Sequence, residues 1–434
     1  MNSKIALTLG VMFIMAVSAF SQEIWTLEKC LEYAYQNSPK LKVAENTVKQ
    51  AEGQAQSASS ILYPQVNLSA SYTKNSPAPF GGLGGTVPTG RIRPSLVSAE
   101  VYEYLASLNY TLFSWRIKPT LEIASAGVDI AQKDYQSARD DLTLQVKQAY
   151  YASLFTRQLV KISSKAEEVA KDNYETTQRL YDEGQVSHFD VSRAKVRWVN
   201  SQSDRIEVER NQNLALENLK TLLSLPDDQD FAVTGSLPEE LAEVNLEEGL
   251  QTAQAKRSEI QSLNSLENLS KSTVNLEKGT RMPSLSLGYN YSWQANDGYV
   301  NPDRYYKSWT LLGKISYPLF DGFNAKGKIR AARAGLERVK ESKQQLLDAI
   351  ALQVKEAFLS MKSAQDRIIS QRENVATAQE NLRIATERYK LGLLSQLELK
   401  DAELSLVESE TNYNKALYDY NTSLAAWQRA QGID

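Results

Sequence analysis

The chain has 434 residues, 42% of them hydrophobic and 23% charged, with a formal net charge of −3. That composition fits an ordered protein long enough for two or three domains, and a pI near 5.7 leaves no basic field to attract nucleic acid. A single cysteine and a single histidine exclude an internal disulfide and a multi-histidine metal centre.

Residues 1–21 read as a secretory signal: Lys4 supplies the positive end, Ile5 to Val17 the apolar stretch, and Ala19-Phe20-Ser21 the cleavage site. The apolar run is shorter than the roughly 18 residues a membrane span needs. No cysteine directly follows the cleavage site, where Gln22 stands, so a lipid-modified N-terminus is not expected. What comes next is written twice. Residues 27–73 align without a gap onto 246–292, an offset of 219 that pairs Leu31 with Leu250, Ala34 with Ala253 and Tyr72 with Tyr291. Further on the offset is 207 (Leu112-Phe113 on Leu319-Phe320) and then 208 (Gln145-Val146-Lys147 on Gln353-Val354-Lys355). A repeat this long is a duplicated domain-sized unit. The expected layout is a first repeat over 22–224, a linker over 225–245 with two prolines and an acidic cluster, and a second repeat over 246–434.

Each copy opens with a helix, the first carrying Cys30 as a half-buried structural thiol. Four strands with period-two alternation follow, at about 64–73, 102–112, 283–293 and 305–317. Val66, Leu68, Ala70 and Tyr72 share one face of the first. The same face of the others takes Tyr102 to Tyr110 and Leu112, then Leu285 to Trp293, then Trp309, Leu311, Ile315 and Tyr317. Leu105 and Leu312 break the pattern. The opposite face is mostly Ser, Asn and Thr. Each run has the length of a tilted transmembrane strand, roughly 9–11 residues, and Tyr72, Tyr110, Tyr291, Trp293, Trp309 and Tyr317 are candidates for the aromatic belts at the membrane interfaces. A soluble sandwich would show the same alternation, but with a more charged polar face. Four strands cannot close a membrane barrel, and bare edges cannot face lipid, so several copies must pool their strands. The loops 74–99 and 294–304 join the strand pairs; Gly81-Gly82-Leu83-Gly84-Gly85 in the first is an incomplete GxGxxG and reads as a flexible loop.

Pro119 marks a helix start, and Thr120–Glu183 and Lys326–Leu391 contain no further proline. Each can run for roughly 100 Å at 1.5 Å per residue. The second carries a heptad seam through Leu347, Ile350, Val354, Ala357, Met361, Ala364, Ile368, Gln371, Val375, Ala378, Leu382, Ala385 and Tyr389. The first repeats it less cleanly from Leu142 to Tyr181. Gly184 and Gly392 are expected to end these helices as left-handed C-caps, with a second, antiparallel helix following at about 189–223 and 397–431. His188, at the first tip, reads as a solvated residue rather than a catalytic base.

The order of elements resembles the TolC-type outer-membrane efflux proteins over essentially the whole mature chain. The tips carry the most specific likeness: Tyr181, Gly184, Ser187 and Asp190 in the first copy recur as Tyr389, Gly392, Ser395 and Glu398 in the second, at identical spacing. The resemblance implies a mainly α protein with a membrane β-barrel: a homotrimer whose twelve pooled strands form one barrel and whose long helical hairpins form a periplasmic α-barrel. It also implies a passive exit duct for efflux or type I secretion, in contact with outer-membrane lipid. The duct would dock with a periplasmic adaptor and, through it, with an inner-membrane pump; no cofactor is implied. In the family, acidic residues past the second glycine ring the aperture; the matching residues are Glu398 and Asp401, with Asp190 the first-copy counterpart of Glu398. A solvated helix face would show the same acids. Some members latch the tip through a basic residue where this chain has Leu394. The competing class is a secreted coiled-coil spacer or adhesin, which explains the heptads but not the duplicated strand pairs. A periplasmic hydrolase is disfavoured because no nucleophile-elbow or metal motif occurs.

Overall fold

The computed structural model describes residues 23–74, 100–226, 231–296, 306–391 and 393–433. The predicted signal, residues 75–99 and 297–304 of the strand-connecting loops, Tyr305 of the fourth predicted strand, and Gly392 lie outside the described residues. In chain order the elements are β1 (Glu23–Trp25), α1 (Leu27–Asn37), α2 (Pro39–Ser59), a 3-10 turn (Ser60–Leu62), β2 (Gln65–Lys74), β3 (Glu100–Ser114), α3 (Ile117–Asp182) and α4 (His188–Leu223). Then come β4 (Phe231–Val233), α5 (Leu246–Lys256), α6 (Ser258–Gly279), β5 (Ser284–Asn296), β6 (Tyr306–Ser316), α7 (Asn324–Lys390) and α8 (Gln396–Gln431). From α1 to α4 and from α5 to α8 the order is the same, as the duplication requires.

Two boundaries differ from expectation. The opening helix of each copy is two helices, broken at Ser38 (φ −57°, ψ 122°) and at Arg257 (φ −56°, ψ 121°), positions that match in the repeat. Pro39 explains the first break, because a residue before proline avoids helical geometry. Pro119 is the third residue of α3, not the first, still within the turn whose N–H groups have no partner in the helix.

The chain divides into two compact units. One comprises Val43–Ser137 and Ser258–Ala349 and contains the sheet β2-β3-β5-β6, antiparallel throughout. The two copies meet at its centre, where β3 pairs β5. Directly opposed residues share a face, and the register brings Leu68, Ala106, Tyr291 and Trp309 into one row and Asn67, Ser107, Asn290 and Thr310 into the next. A bulge between Thr111 and Phe113 corrects one assignment: Phe113, not Leu112, takes the place opposite Leu285 on the apolar face. Beneath the sheet, α6 is tied to α3 and α7 by Ser272 Oγ donating to Glu122 Oε2 (2.7 Å) and Lys343 Nζ donating to Glu267 Oε2 (3.2 Å).

The other unit comprises residues up to Lys42, Ala138–Arg257 and everything from Ile350. Here the heptad seam is the core: Val354, Met361, Ala364 and Ile368 of α7 are fully buried, as is Val146 of α3. α1 packs on α4, and α5 packs on α8. The described residues of the predicted linker are tied to their surroundings. β4 within it pairs with β1 in parallel, Tyr150 Oη donates to Thr234 O (2.6 Å), and Arg157 donates to the carbonyls of Val233 and Gly235. Its later part is held by Asn421 Nδ2 donating to Pro238 O (3.0 Å) and by Ala242, whose N–H donates to Tyr420 Oη (2.7 Å). Arg257 is buried, and its Nη1 donates to the carbonyls of Arg429 and Ala430 at the end of α8, where positive charge complements the helix dipole. Gly432 closes α8 at φ +70°, and an added Cβ would lie 3.1 Å from Arg257 N. Cys30 is fully buried rather than half-buried, and burial pushes its thiol up to about 12.

Candidate functional site: the hairpin tips and the strand face

The first tip turns as the spacing predicts. Gly184 sits at φ +75°, its N–H donates to Tyr181 O (2.8 Å), and Gln185 N donates to Leu180 O (2.8 Å), the paired bonds of a Schellman cap. In the second copy Leu393 N donates to Arg388 O (2.9 Å), the counterpart of the Gln185 bond. Tyr181 is exposed, with its ring edge-on to His188 at 5.8 Å, whereas Tyr389 is half-buried. His188 opens α4 at the surface.

Both return helices start with the same capping box. Ser187 N and Oγ donate to Asp190 Oδ2 (3.1 and 2.6 Å), and Asp190 N donates back to Ser187 Oγ (3.3 Å). Ser395 N and Oγ donate to Glu398 Oε2 (2.9 and 2.7 Å), and Glu398 N donates to Ser395 Oγ (3.3 Å). Two of the three predicted aperture acids are therefore engaged in starting a helix, a role that the S-x-x-D/E spacing of both tips encodes. Hydrogen bonds from the serines hold both carboxyls below the usual carboxylate range. A lowered folded value means the caps are fully formed above the ordinary carboxylate range and are lost as pH falls through the lowered value. Amide exchange at the first turns of α4 and α8, corrected for its intrinsic pH dependence, should therefore accelerate on acidification. Asp190→Asn should remove that response at α4 alone. Ser187→Ala should loosen the same turn at neutral pH by about 1 kcal/mol. Asp401, one turn beyond Glu398, is exposed and has no side-chain partner among the described residues.

Sequence reasoning missed a polar contact that joins the two hairpins near their tips. Glu403 of α8 accepts from Arg197 Nη2 of α4 (2.7 Å) and from Asn173 Nδ2 of α3 (3.1 Å). Arg197 is 25% and Glu403 11% exposed, so the pair is largely out of water. It borders a groove of about 1060 Å³ between the hairpins, lined among others by Val169, Phe189, Val196, Leu404 and Val407. Phe189, Val196 and Leu404 are exposed.

On the sheet, Tyr72 and Tyr102 pack at 4.9 Å, and Tyr291 and Trp293 at 4.5 Å. These four, with Tyr104 and Trp309, gather toward the loop end of the apolar face. Val66, Leu108, Tyr289 and Leu311 form a row in its middle, and Tyr110 with Leu287, then Phe113 with Leu285, lie toward its helix end. Tyr317 lies just beyond β6. Val66, Leu68, Trp309, Leu311 and Ile315 are all exposed in the single chain.

A sheet bearing an uncovered apolar face, joined to duplicated helical hairpins, is matched by known proteins. The family profile described as outer membrane efflux protein matches residues 30–224 and 249–432. The chain belongs to the outer membrane efflux protein family. Among relatives, the outer membrane protein TolC of Vibrio cholerae is 22% identical over 432 residues, covering 96% of this chain and 93% of that one. The alkaline protease secretion protein AprF of Pseudomonas aeruginosa is 22% identical over 337 residues, covering 76% and 69%. The crystal structure of the outer membrane protein VceC from Vibrio cholerae shares the fold, with a TM-score of 0.77 at 20% identity over 94% of this chain and 96% of that one. This efflux protein is accordingly an outer-membrane channel extending into the periplasm, with a mainly α fold and a membrane strand domain. Its family and fold are those of channel proteins rather than enzymes, and the reading as a spacer or adhesin is set aside.

Proposed function

We propose that three copies of the chain close one twelve-stranded barrel and one helical duct, the passive exit of a tripartite efflux or type I secretion system. The observation that carries this reading is the sheet itself. Among the described residues β2 and β6 are each paired along one side, and the face they flank is apolar and exposed. Lipid accepts that face but not the bare backbone at the edges, so β6 of one copy must meet β2 of the next. The aromatic groups Tyr72, Tyr110, Tyr291, Trp293, Trp309 and Tyr317 then mark the two lipid interfaces. Residues 1–21 direct export, and the repeats over 22–224 and 246–434 each supply one strand pair and one hairpin. Detergent-purified protein should have the mass of a trimer and conduct ions in a planar bilayer; a monomer that remains stable and sealed overturns the reading.

At the other end the tips form the aperture, ringed by Asp401 and, with the oxygen its cap leaves free, Glu398. A periplasmic adaptor docks there and links the duct to an inner-membrane pump, which supplies the energy. Support for the docking comes from the exposed Phe189, Val196 and Leu404 along the groove between the hairpins, an apolar seam suited to a partner helix.

A further inference from the structure

The strand register puts a single cation on an otherwise neutral stretch of the polar face. Among the described strand residues of that face, only Glu103 and Lys314 are charged. Lys314 stands opposite Ser286, which stands opposite Thr111. The row of Glu103 meets β6 at Tyr306, so eight residues, or about 26 Å of strand, separate the two charges. Asp321, the next acid along the chain, is occupied at the start of α7, where its Oδ2 accepts from Ala325 N at 2.7 Å. The partner edge brings no relief: the polar face of β2 offers Gln65, Asn67, Ser69, Ser71 and Thr73, none of them ionisable. Closing β6 against a neighbouring β2 therefore leaves the ammonium without a counter-charge.

We propose that Lys314 forms a threefold ring of uncompensated ammonium groups in the barrel lumen, selecting anions at that level and holding multivalent anions most strongly. This rests on the trimeric barrel proposed above. Low-dielectric walls focus the field of such a ring, and a ring of one sign of charge sets the sign of the ions admitted.

The local potential can be read chemically. Cys30, the sole thiol, is buried and held protonated, so Ser286→Cys in the full-length protein adds one reactive thiol directly opposite Lys314. After the particle mass is measured, its rates with a sulfonate-bearing and a trimethylammonium-bearing methanethiosulfonate are compared. The anionic-to-cationic rate ratio should fall roughly tenfold when Lys314→Gln is added and persist with Lys314→Arg. A trimer whose ratio ignores Lys314→Gln overturns the ring alone. A particle that is not trimeric overturns the barrel reading and the ring with it.

Discussion

Gly249→Ala is expected to destabilise the protein by about 1–3 kcal/mol, the cost of forcing extra volume into a packed core. A Cβ at this position would stand 2.7 Å from Trp427 Cζ2. The indole has no flexible end with which to yield: Trp427 is 5% exposed and leans on Phe358 with ring centroids 5.7 Å apart. The duplication supplies the compensating change. At an offset of 219 Gly249 matches Cys30, and at 208 Trp427 matches Leu219; both first-copy residues are fully buried. Where α1 packs on α4 the protein uses a medium residue in each helix, and where α5 packs on α8 it uses none against a very large one. Trp427→Leu alone leaves a void and should also destabilise. The double variant Gly249→Ala with Trp427→Leu should lie above the sum of the single losses by at least about 1 kcal/mol. Thermal midpoints by far-UV circular dichroism in detergent decide the matter; simple additivity would show that the two positions do not share one packing site.

That pair also illustrates what could be read from sequence. The strands were legible because an apolar face with period two survives any number of polar substitutions opposite it. The bulge was not, since adjacent Leu112 and Phe113 are both apolar and either can continue the alternation. The seam from Ile350 to Tyr389 was legible residue by residue, because heptad spacing is set by helix geometry alone. β1 and β4 left no trace: each has three residues, and their pairing depends on partners distant in the chain. At the tips the same letters carried two meanings. Ser187 and Asp190, like Ser395 and Glu398, fit a capping box and a family aperture equally well, and only coordinates reveal the hydrogen bonds that engage the carboxylates. Glu403 was invisible because its partner Arg197 lies 206 residues away and follows no local pattern.

Glu403→Ala is expected to weaken the hold between the two hairpins by about 2 kcal/mol, because it strips a charged acceptor from two donors in a largely dry site. Arg197 would keep its charge but lose the carboxylate it pairs with, and Asn173 would lose its acceptor. Among the described residues near the tips, the other polar bond that crosses between the hairpins, Gln396 Nε2 donating to Thr177 Oγ1, is long at 3.5 Å; Arg429 with Asp141 and Lys147 with Gln428 cross far from the tips. A loss of about 2 kcal/mol shifts a two-state equilibrium roughly thirtyfold. If the tip must part to widen the duct, that shift favours the parted state. Single-channel recordings should then show a larger conductance, or longer stays at the larger level, in Glu403→Ala than in the parent. Glu403→Gln keeps an oxygen for Asn173 and should fall between the two. Charge reversal of the pair, Arg197→Glu with Glu403→Arg, should return the conductance toward the parent value if the attraction between these side chains is what resists opening. An unchanged conductance in Glu403→Ala, with the trimer intact, would mean that the apolar contacts of α3, α4, α7 and α8 hold the tip without this pair.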